Sequence, residues 1–284
     1  MVEHCARQRI PIDFIDHGGL PYARLSAFHG VNVEVQLAQL EALKNGKASD
    51  LARAFVHGKI RNQRSLVKYY HKYRKGVDEA FVVEFDEEVA RMIGIESEIK
   101  ELPEMDHVTL RGRLLSIEGR SAAAYWDIIR TLLDEIIVFE GRVGKGADDL
   151  VNSLLNYGYG ILYSKVWQAV VRVGLNPYIS FFHVPQPGKP TLLYDLIEEF
   201  RPHLVDRAVF SMINRRVELK MDGRLLSHDT RNKVAIAVLE RINTVETFRE
   251  RELRLGDILV EQVRAVAAFL TGEKERYAPY LAKW

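Results

Sequence analysis

The sequence predicts a mainly α-helical fold that opens with a short β hairpin. Residues 10–15 and 22–25 have the pattern of two short strands, joined by the turn sequence D-H-G-G-L-P at residues 16–21. After residue 31 almost every apolar pattern repeats with the spacing of an amphipathic helix. With 284 residues, 47% of them hydrophobic, the chain can bury one sizeable core without a disulfide or a metal to hold it.

The expected helices follow one another along the chain. In order, they cover residues 37–43, 51–73, 122–139, 150–173, 192–200, 233–242 and 256–270. The helix at 192–200 has the clearest boundaries, because three prolines lie between residues 185 and 190 and Thr191 is a favourable N-cap. Pro202 predicts an end near Phe200, since proline cannot donate to the helical ladder and disfavours the α conformation before it.

Charged residues are arranged in blocks that cancel in the total. The net charge is +1, from 40 basic and 39 acidic residues, so bulk charge indicates no class of partner. Residues 59–75 contain no acid, and tyrosines are interleaved with their basic side chains. That composition suits a nucleic-acid-binding face, and equally a solvated helix face. Residues 78–106 are rich in acids and predict a solvated acidic face, with contact to a basic partner subunit as the alternative.

Several classes of protein are excluded by composition. The single cysteine, Cys5, rules out an intrachain disulfide. No apolar run reaches membrane-spanning length and the first nine residues do not resemble a signal peptide, so we expect a soluble cytoplasmic protein. The chain has no Gly-rich phosphate-binding loop, which argues against nucleotide hydrolysis.

The segment that ends at His183 carries the most informative chemical pattern. A histidine follows an apolar run, and carboxylates follow on the next expected helix. Asp195 and Glu198 are three residues apart and therefore share a helix face, with β-carbons roughly 5 to 6 Å apart. Glu199 is an alternative partner for Asp195 at a spacing of four. The pattern favours a metal site; the structural alternative is a core histidine beside acids that complement the helix dipole.

Glu118 supplies a third acid. It follows an apolar approach and precedes the small residues 122–124. We expect it at the N-terminal end of a tightly packed helix, where it is well placed to face a cation.

Four segments occur in a distinctive order, at residues 117–126, 148–162, 174–183 and 195–202. This ordered set resembles the CRISPR-associated integrase of spacer acquisition, the Cas1 family. Three further segments agree: residues 54–63, the region around Gln36 and Gln39, and the C-terminal residues 276–284. Each motif alone is weak, whereas the ordered set is specific and spans about residues 5–284.

The resemblance implies an α-helical metal-dependent catalytic domain over residues 29–284. Residues 1–28 would then be the C-terminal part of a β-domain, of which only the last strands are represented. This implies a naturally short chain or the tail of a longer fusion, with a reverse transcriptase as a candidate upstream domain. The implied assembly is a homodimer within a larger integrase complex, with the companion Cas2 protein.

The implied ligands of a divalent metal, Mg²⁺ or Mn²⁺, are Glu118, His183 and Glu198, and Asp195 is the fourth catalytic residue. The implied reaction inserts spacer DNA into a CRISPR array, by attack of a 3′-hydroxyl on phosphodiesters at the repeat borders. With water as the nucleophile, the same site would cleave DNA. The expected DNA-binding residues are Lys59, Arg61, Arg64, Lys68, Lys72, Arg120, Arg142, Lys145 and Arg201.

Residues 140–149 depart from the family pattern because the usual prolines are missing. We expect a mobile loop there, with Asn152, Tyr157, Tyr159 and Tyr163 of the next helix as candidates to line the site. Two other functions fit the same residues: a metal-dependent nuclease of branched DNA in repair or a mobile element, and a non-catalytic DNA-binding scaffold.

Overall fold

The computed structural model describes residues 1–8, 10, 12–15, 21–25, 32–74, 79–133, 136–144 and 146–283. This part of the chain is mainly helical with a few short antiparallel hairpins, which confirms the predicted fold class. The α-helices are α1 (Val2–Arg7), α2 (Val33–Glu41), α3 (Lys47–Arg74), α4 (Glu79–Glu101), α5 (His107–Leu133), α6 (Leu150–Val173), α7 (Thr191–Ile197), α8 (Arg207–Asn214), α9 (His228–Asn243) and α10 (Leu255–Thr271). A π-helix, Arg201–Asp206, lies between α7 and α8. The strands are β1 (Ile12–Ile15), β2 (Pro21–Leu25), β3 (Met221–Asp222), β4 (Leu225–Leu226), β5 (Val245–Phe248) and β6 (Arg251–Arg254).

The first hairpin forms where the sequence predicts it. Strands β1 and β2 pair antiparallel, with Ile12 opposite Leu25 and Phe14 opposite Ala23. The predicted turn at residues 16–20 lies outside the described residues. The assignment of residues 1–28 to a β-domain stays a prediction.

Helix α6 has the predicted bounds, and a capping residue lies at each of its ends. The Asp149 side chain accepts a hydrogen bond from the Asn152 amide at 2.8 Å, which caps the N-terminus. Gly174 ends the helix in the left-handed region at φ 90°, a conformation that glycine adopts without a Cβ clash.

Helix α4 was not expected, because acidic residues obscure its apolar face. The buried residues of that face recur at helical spacing: Phe85, Val89, Met92, Ile95 and Ile99. Helices α3, α4 and α5 pack against one another and form one side of the molecule. The acidic block is therefore half core and half surface, rather than only a solvated face.

Helix α5 begins fifteen residues before the predicted position. Asp106 caps it by accepting hydrogen bonds from the Val108 and Thr109 amides, both at 3.0 Å. Glu118 consequently lies in the middle of a long helix, and its expected place at a helix N-terminus is wrong. It reaches the site as a side chain on a rigid helix, without help from a helix dipole.

The segment from α7 to α8 differs from the prediction at both ends. Thr191 is the first residue of α7 rather than its cap, and Pro190 takes the cap position with no side-chain hydrogen bond. Helix α7 ends at Ile197, after which Pro202 is accommodated in the first turn of the π-helix, where a missing amide is tolerated. The π-helix packs closely on α6: a Cβ on Gly158 would lie 2.6 Å from Val205 Cγ1.

The hairpins β3–β4 and β5–β6 were not predicted, since each strand has four residues or fewer. They connect α8, α9 and α10, which pack with α6 in the C-terminal half. Among the described residues, none of the helices combines the length and apolarity that crossing a membrane requires.

Candidate active site

Asp195 organises the chain around His183. It is fully buried, and its Oδ2 accepts the Phe181 and Phe182 amides at 2.7 and 3.0 Å. Its Oδ1 lies 2.8 Å from both the His183 amide and His183 Nδ1. Because a carboxylate only accepts, Nδ1 carries a proton, so in the neutral imidazole the Nε2 lone pair is left for a ligand.

The other end of this segment is held by Gln39 of α2. The buried Gln39 amide donates to the carbonyls of Asn176 and Ile179 at 2.9 and 2.7 Å, and accepts the Asn176 amide at 2.8 Å. The segment from Asn176 to His183 is thus fixed at both ends by buried polar side chains. Gln39, which the sequence analysis singled out only through the family resemblance, therefore has a structural role.

Glu118 and Glu198 meet across the ammonium group of Lys59. Lys59 Nζ is 2.7 Å from Glu198 Oε2 and makes a shorter contact with Glu118 Oε1. The three side chains come from α5, from the turn after α7 and from α3. Lys59 was expected to bind DNA; in the structure it is a buried counter-cation between two proposed metal ligands.

Charge on Glu198 is stabilised from three sides. Burial by itself would raise its pKa, but Arg201, Lys59 and His183 together hold the pKa below its usual range. Burial and the charge of Arg201 would lower the pKa of Lys59, but Glu198 and Glu118 raise it above its usual value. Asp195 and Glu198 likewise raise the pKa of His183 against the effect of burial. The site therefore combines ionised carboxylates with cations at short range.

Arg201 connects the carboxylates to a cavity of about 300 Å³. Arg201 Nη1 is 2.8 Å from Glu198 Oε1, and its guanidinium lies 4.9 Å from the Tyr159 ring centroid. The guanidinium of Arg142 is 5.3 Å from the same ring. Lys59, Glu118 and Asp206 also line this cavity. Basic and aromatic groups beside acids are suited to hold a phosphodiester next to a metal.

Behind the cavity, Asp206 fixes two phenols. It accepts hydrogen bonds from Tyr125 at 2.7 Å and from Tyr159 at 2.5 Å. Burial raises its pKa to about 6, although both hydrogen bonds act in the opposite direction. No spacing argument pointed to Asp206, because it lies in an irregular helix whose geometry the sequence did not predict.

The alternative pairing of Glu199 with Asp195 is not formed. Glu199 points away from the cavity and accepts hydrogen bonds from the Tyr277 hydroxyl, the Tyr280 amide and Gln262. The C-terminal segment thereby packs behind the site. Asn62 reinforces this contact by donating to the carbonyls of Glu199 and Tyr280 at 2.7 and 2.9 Å.

Three of the predicted DNA-binding residues line the cavity, namely Lys59, Arg142 and Arg201, and the other described ones are either paired with acids or exposed. Arg64 is buried against Glu96 at 2.9 Å and Arg120 forms a bidentate pair with Glu98 at 2.8 and 2.6 Å, so acids of α4 occupy both. Arg61 lies 3.8 Å from Glu96. Lys68 and Lys72 are exposed on α3, whereas Lys145 lies outside the described residues.

The described part of the loop before α6 makes several hydrogen bonds to that helix, and its expected mobility stays a prediction. Arg142 donates to Asn152 Oδ1 at 2.9 Å and to Asn156 Oδ1 at 2.5 Å. Asn152 in turn accepts the Val143 amide and donates to the Gly141 carbonyl. Asn152 and Asn156 therefore bind this loop at the place where the family pattern has prolines. Of the tyrosines proposed to line the site, Tyr159 lines the cavity.

The donor set fits a divalent cation. Within the described residues no group of three acids, histidines or cysteines converges as a complete metal cluster, and Lys59 lies between the two glutamates. Glu198 Oε2 is buried and makes no hydrogen bond of good geometry, although Lys59 Nζ is nearby. An ammonium between two carboxylates shows that this position favours a cation, and oxygen ligands with one imidazole suit Mg²⁺ or Mn²⁺.

The family model for "CRISPR associated protein Cas1" matches residues 1–240 of this chain. The chain belongs to the Cas1 family. It is 33% identical to a CRISPR-associated endonuclease Cas1 of Archaeoglobus fulgidus, over 98% of this chain and 84% of the relative. It is 32% identical to the Cas1 endonuclease of Korarchaeum cryptofilum, over 93% of this chain and 78% of the relative.

Solved structures share the Cas1 fold at lower identity. A casposase bound to an integration product has a TM-score of 0.82 at 21% identity, covering 98% of this chain and 76% of that chain. A Cas1 protein from Thermotoga maritima has a TM-score of 0.72 at 19% identity, with 99% and 84% covered. A Cas6-RT-Cas1–Cas2 complex has a TM-score of 0.79 at 19% identity, with 99% of this chain and 31% of that chain covered. The helical architecture is therefore that of Cas1 proteins and casposase.

Proposed function

We propose that this Cas1 protein is a metal-dependent DNA integrase that joins spacer DNA to a CRISPR repeat array, and that cleaves DNA when water replaces the 3′-hydroxyl. One observation carries the assignment to this site: Glu118 and Glu198 converge on a cation position beside a cavity lined by Arg142, Arg201 and Tyr159. The relatives are named endonucleases, and the site has groups suited to bind a phosphodiester, so both observations support phosphodiester chemistry.

Glu118, Glu198 and His183 Nε2 would hold the metal, which supplies polarisation of the phosphoryl oxygen and stabilisation of developing charge. Asp195 keeps His183 in the tautomer that leaves Nε2 free. Arg201 is fixed between Glu198 and Tyr159, which places its guanidinium to compensate phosphate charge. Lys59 must leave its position between the glutamates when a metal enters.

The reaction conserves the number of phosphodiester bonds. The 3′-oxygen of the incoming strand forms a bond to phosphorus as the bond to the 3′-oxygen of the repeat strand breaks. The attacking hydroxyl gives its proton to solvent and the departing 3′-oxygen takes one up, so no net proton is released. No high-energy cofactor is needed. The DNA partners are spacer precursor and repeat array, and the relation to a complex that contains Cas2 supports a companion Cas2 subunit. A homodimer within the larger assembly stays a prediction. Fusion to an upstream reverse transcriptase is a further proposal from the same neighbour.

The test is strand transfer of a labelled duplex with free 3′-hydroxyl ends into a plasmid that carries a repeat array, with Mg²⁺ or Mn²⁺ and with or without Cas2. Metal-dependent joining at the repeat borders, abolished in His183→Ala, is expected. Cleavage without joining would favour a nuclease of branched DNA. DNA binding without either reaction would favour a scaffold.

A further inference from the structure

Gln63 of α3 lines the cavity beside the proposed metal site, and its side-chain oxygen is unpaired. Lys59, which lines the same cavity, lies one helical turn earlier, about 6 Å along the helix axis. Gln63 is 3% exposed, and its Oε1 has no hydrogen-bond partner among the described residues. Because buried polar groups are nearly always paired, an unpaired carbonyl oxygen at this position indicates a ligand that donates to it.

Asn62, the preceding residue, is a buried amide of the opposite kind. It donates to the carbonyls of Glu199 and Tyr280 at 2.7 and 2.9 Å, and its oxygen accepts the Ala282 amide at 2.9 Å. Asn62 therefore holds the C-terminal segment through three hydrogen bonds. The oxygen of Gln63 makes no such contact within the described part of the chain, so it does not support the fold in the same way.

The other polar groups of the cavity limit what this oxygen can bind. Three basic side chains of the cavity donate hydrogen bonds: Lys59, Arg142 and Arg201. A phosphodiester offers only acceptors, so these donors suit its oxygens. Both oxygens of Asp206 already accept tyrosine hydroxyls, and Glu118 is a proposed metal ligand. Gln63 therefore supplies the remaining side-chain carbonyl or carboxylate oxygen among the described lining residues, and its partner is a donor that the substrate brings.

The reacting DNA end carries one such donor, its 3′-hydroxyl, and in hydrolysis a water molecule takes the place of this group. We propose that Gln63 Oε1 accepts a hydrogen bond from the attacking hydroxyl and holds the hydroxyl oxygen in line with the phosphorus atom. The inference rests on the proposed function and adds a catalytic residue to it. Lys59 shares this face of α3, so the movement that metal entry requires of Lys59 takes place beside the covered Gln63 oxygen.

This role is orientation and not general base catalysis. An amide oxygen is too weakly basic to take the proton, so Gln63 is chemically unchanged by the reaction. The bond from the hydroxyl oxygen to phosphorus forms as the bond from phosphorus to the departing 3′-oxygen breaks. Water accepts the proton of the attacking hydroxyl, and water protonates the departing oxygen.

The first test measures binding. A duplex with 3′-hydroxyl ends and the same duplex with 3′-deoxy ends are titrated in Mg²⁺ without a repeat array, so that no strand is joined. Wild type should bind the hydroxyl duplex about three- to tenfold more tightly, because the deoxy end leaves the buried oxygen unpaired. Gln63→Leu should bind both duplexes equally. Gln8→Leu, at an exposed glutamine, is the control and should discriminate as wild type does.

The second test measures single-turnover strand transfer at saturating DNA and Mn²⁺. Gln63→Leu should lower the rate constant about 10- to 100-fold, because the attacking oxygen is no longer held in line. Gln63→Glu keeps an oxygen acceptor and should recover most of the rate. The Mn²⁺ concentration for half-maximal rate should be the same in all three proteins. A rise of tenfold or more in Gln63→Leu would make the oxygen a metal ligand and overturn the proposal.

Melting temperatures separate this role from support of the fold. Asn62→Leu removes three hydrogen bonds and should lower the melting temperature by about 5 °C or more. Gln63→Leu removes an unpaired buried acceptor, so its melting temperature should equal or exceed that of wild type. A fall as large as that of Asn62→Leu would show that Gln63 supports the fold, and the proposal would be lost.

The two tests also separate this inference from the proposed function. If wild type joins DNA and Gln63→Leu joins it at the same rate, the proposed function stands and the inference fails. If wild type joins no DNA with either metal, the proposed function fails, whereas the binding comparison still decides whether Gln63 receives a 3′-hydroxyl. Equal binding of both duplexes by wild type would overturn the inference in either case.

Discussion

Glu198 and Glu199 are neighbours in the chain but belong to two different regions of the molecule. Glu198 points toward Lys59 and Arg201, two residues that line the cavity; they lie 2.7 and 2.8 Å away and hold its pKa low against burial. Glu199 is equally buried, but faces the C-terminal segment and neutral donors. Burial raises the pKa of Glu199 to about 7, although its hydrogen bonds from Tyr277, Tyr280 and Gln262 lower it.

The comparison shows that two adjacent glutamates have different roles: Glu198 belongs to the proposed metal site, and Glu199 stabilises the fold. On the cavity side, carboxylates keep their charge because cations surround them, which is the condition for binding a metal. On the opposite side, a carboxyl group serves as a hydrogen-bonding centre that joins α10, the C-terminal segment and the turn after α7. Substitutions on the two sides should therefore change different observables.

The largest effect is expected on the cavity side. Glu198→Gln keeps the shape of the side chain and removes a metal-binding charge, so strand transfer should fall by at least about 10²- to 10³-fold. The melting temperature should also fall, because Lys59 and Arg201 lose a buried counter-charge, so activity is compared at a temperature at which variant and wild type are both folded. Glu218→Gln, an exposed acid paired with Lys220, is the matched control and should retain activity. Retained strand transfer in Glu198→Gln would remove this carboxylate from the active site.

On the opposite side, Glu199→Ala should destabilise the fold. It leaves the Tyr280 amide and the Gln262 side chain without their buried acceptor, which costs about 2–4 kcal/mol of unfolding free energy. Urea unfolding measures this loss, and faster hydrogen exchange at the Tyr280 amide would show that the C-terminal segment is released. Glu261→Ala, at a half-buried acid of α10 whose partners are the exposed arginines Arg251 and Arg264, serves as the control. An unchanged urea midpoint would contradict the structural role of Glu199.

A substitution of Lys59 should change both stability and metal binding, because Lys59 neutralises Glu118 and Glu198. Lys59→Met should lower the melting temperature of the metal-free protein by about 5–10 °C, since it leaves buried carboxylates unpaired. Manganese should restore more stability to this variant than to wild type, because no ammonium competes with the metal for the glutamates. Lys68→Met, an exposed lysine on the same helix, should respond to manganese as wild type does. An equal manganese shift in Lys59→Met and wild type would show that Lys59 does not occupy the metal position.

The sequence predicted most where signals are local. The bounds of α6 were predicted from apolar periodicity, and the structure shows caps at both of its ends, Asp149 and Gly174. The pairing of His183 with a downstream carboxylate followed from its position between an apolar run and a helix. Contacts between distant elements were not predictable in this way. The insertion of Lys59 between Glu118 and Glu198, and the capture of Arg64 by Glu96, depend on how α3, α4 and α5 pack.

The smallest expected effect concerns Asp206, which lines the cavity beside Lys59 and Glu118. In the folded protein burial raises the pKa of Asp206 from 3.8 to about 6, so the folded state keeps a proton that the unfolded state releases. Stability from this group is therefore fully present below pH 3.8 and is lost as the pH rises to about 6. Asp206→Asn should remove that decline, so that the difference in urea midpoint between variant and wild type changes across pH 4–6 and is constant above pH 7. Asp229→Asn, an exposed aspartate, should show no such change. A pH-independent difference for Asp206→Asn would mean that Asp206 stays ionised, held by the Tyr125 and Tyr159 hydroxyls and by the positive charges of Arg142 and Arg201.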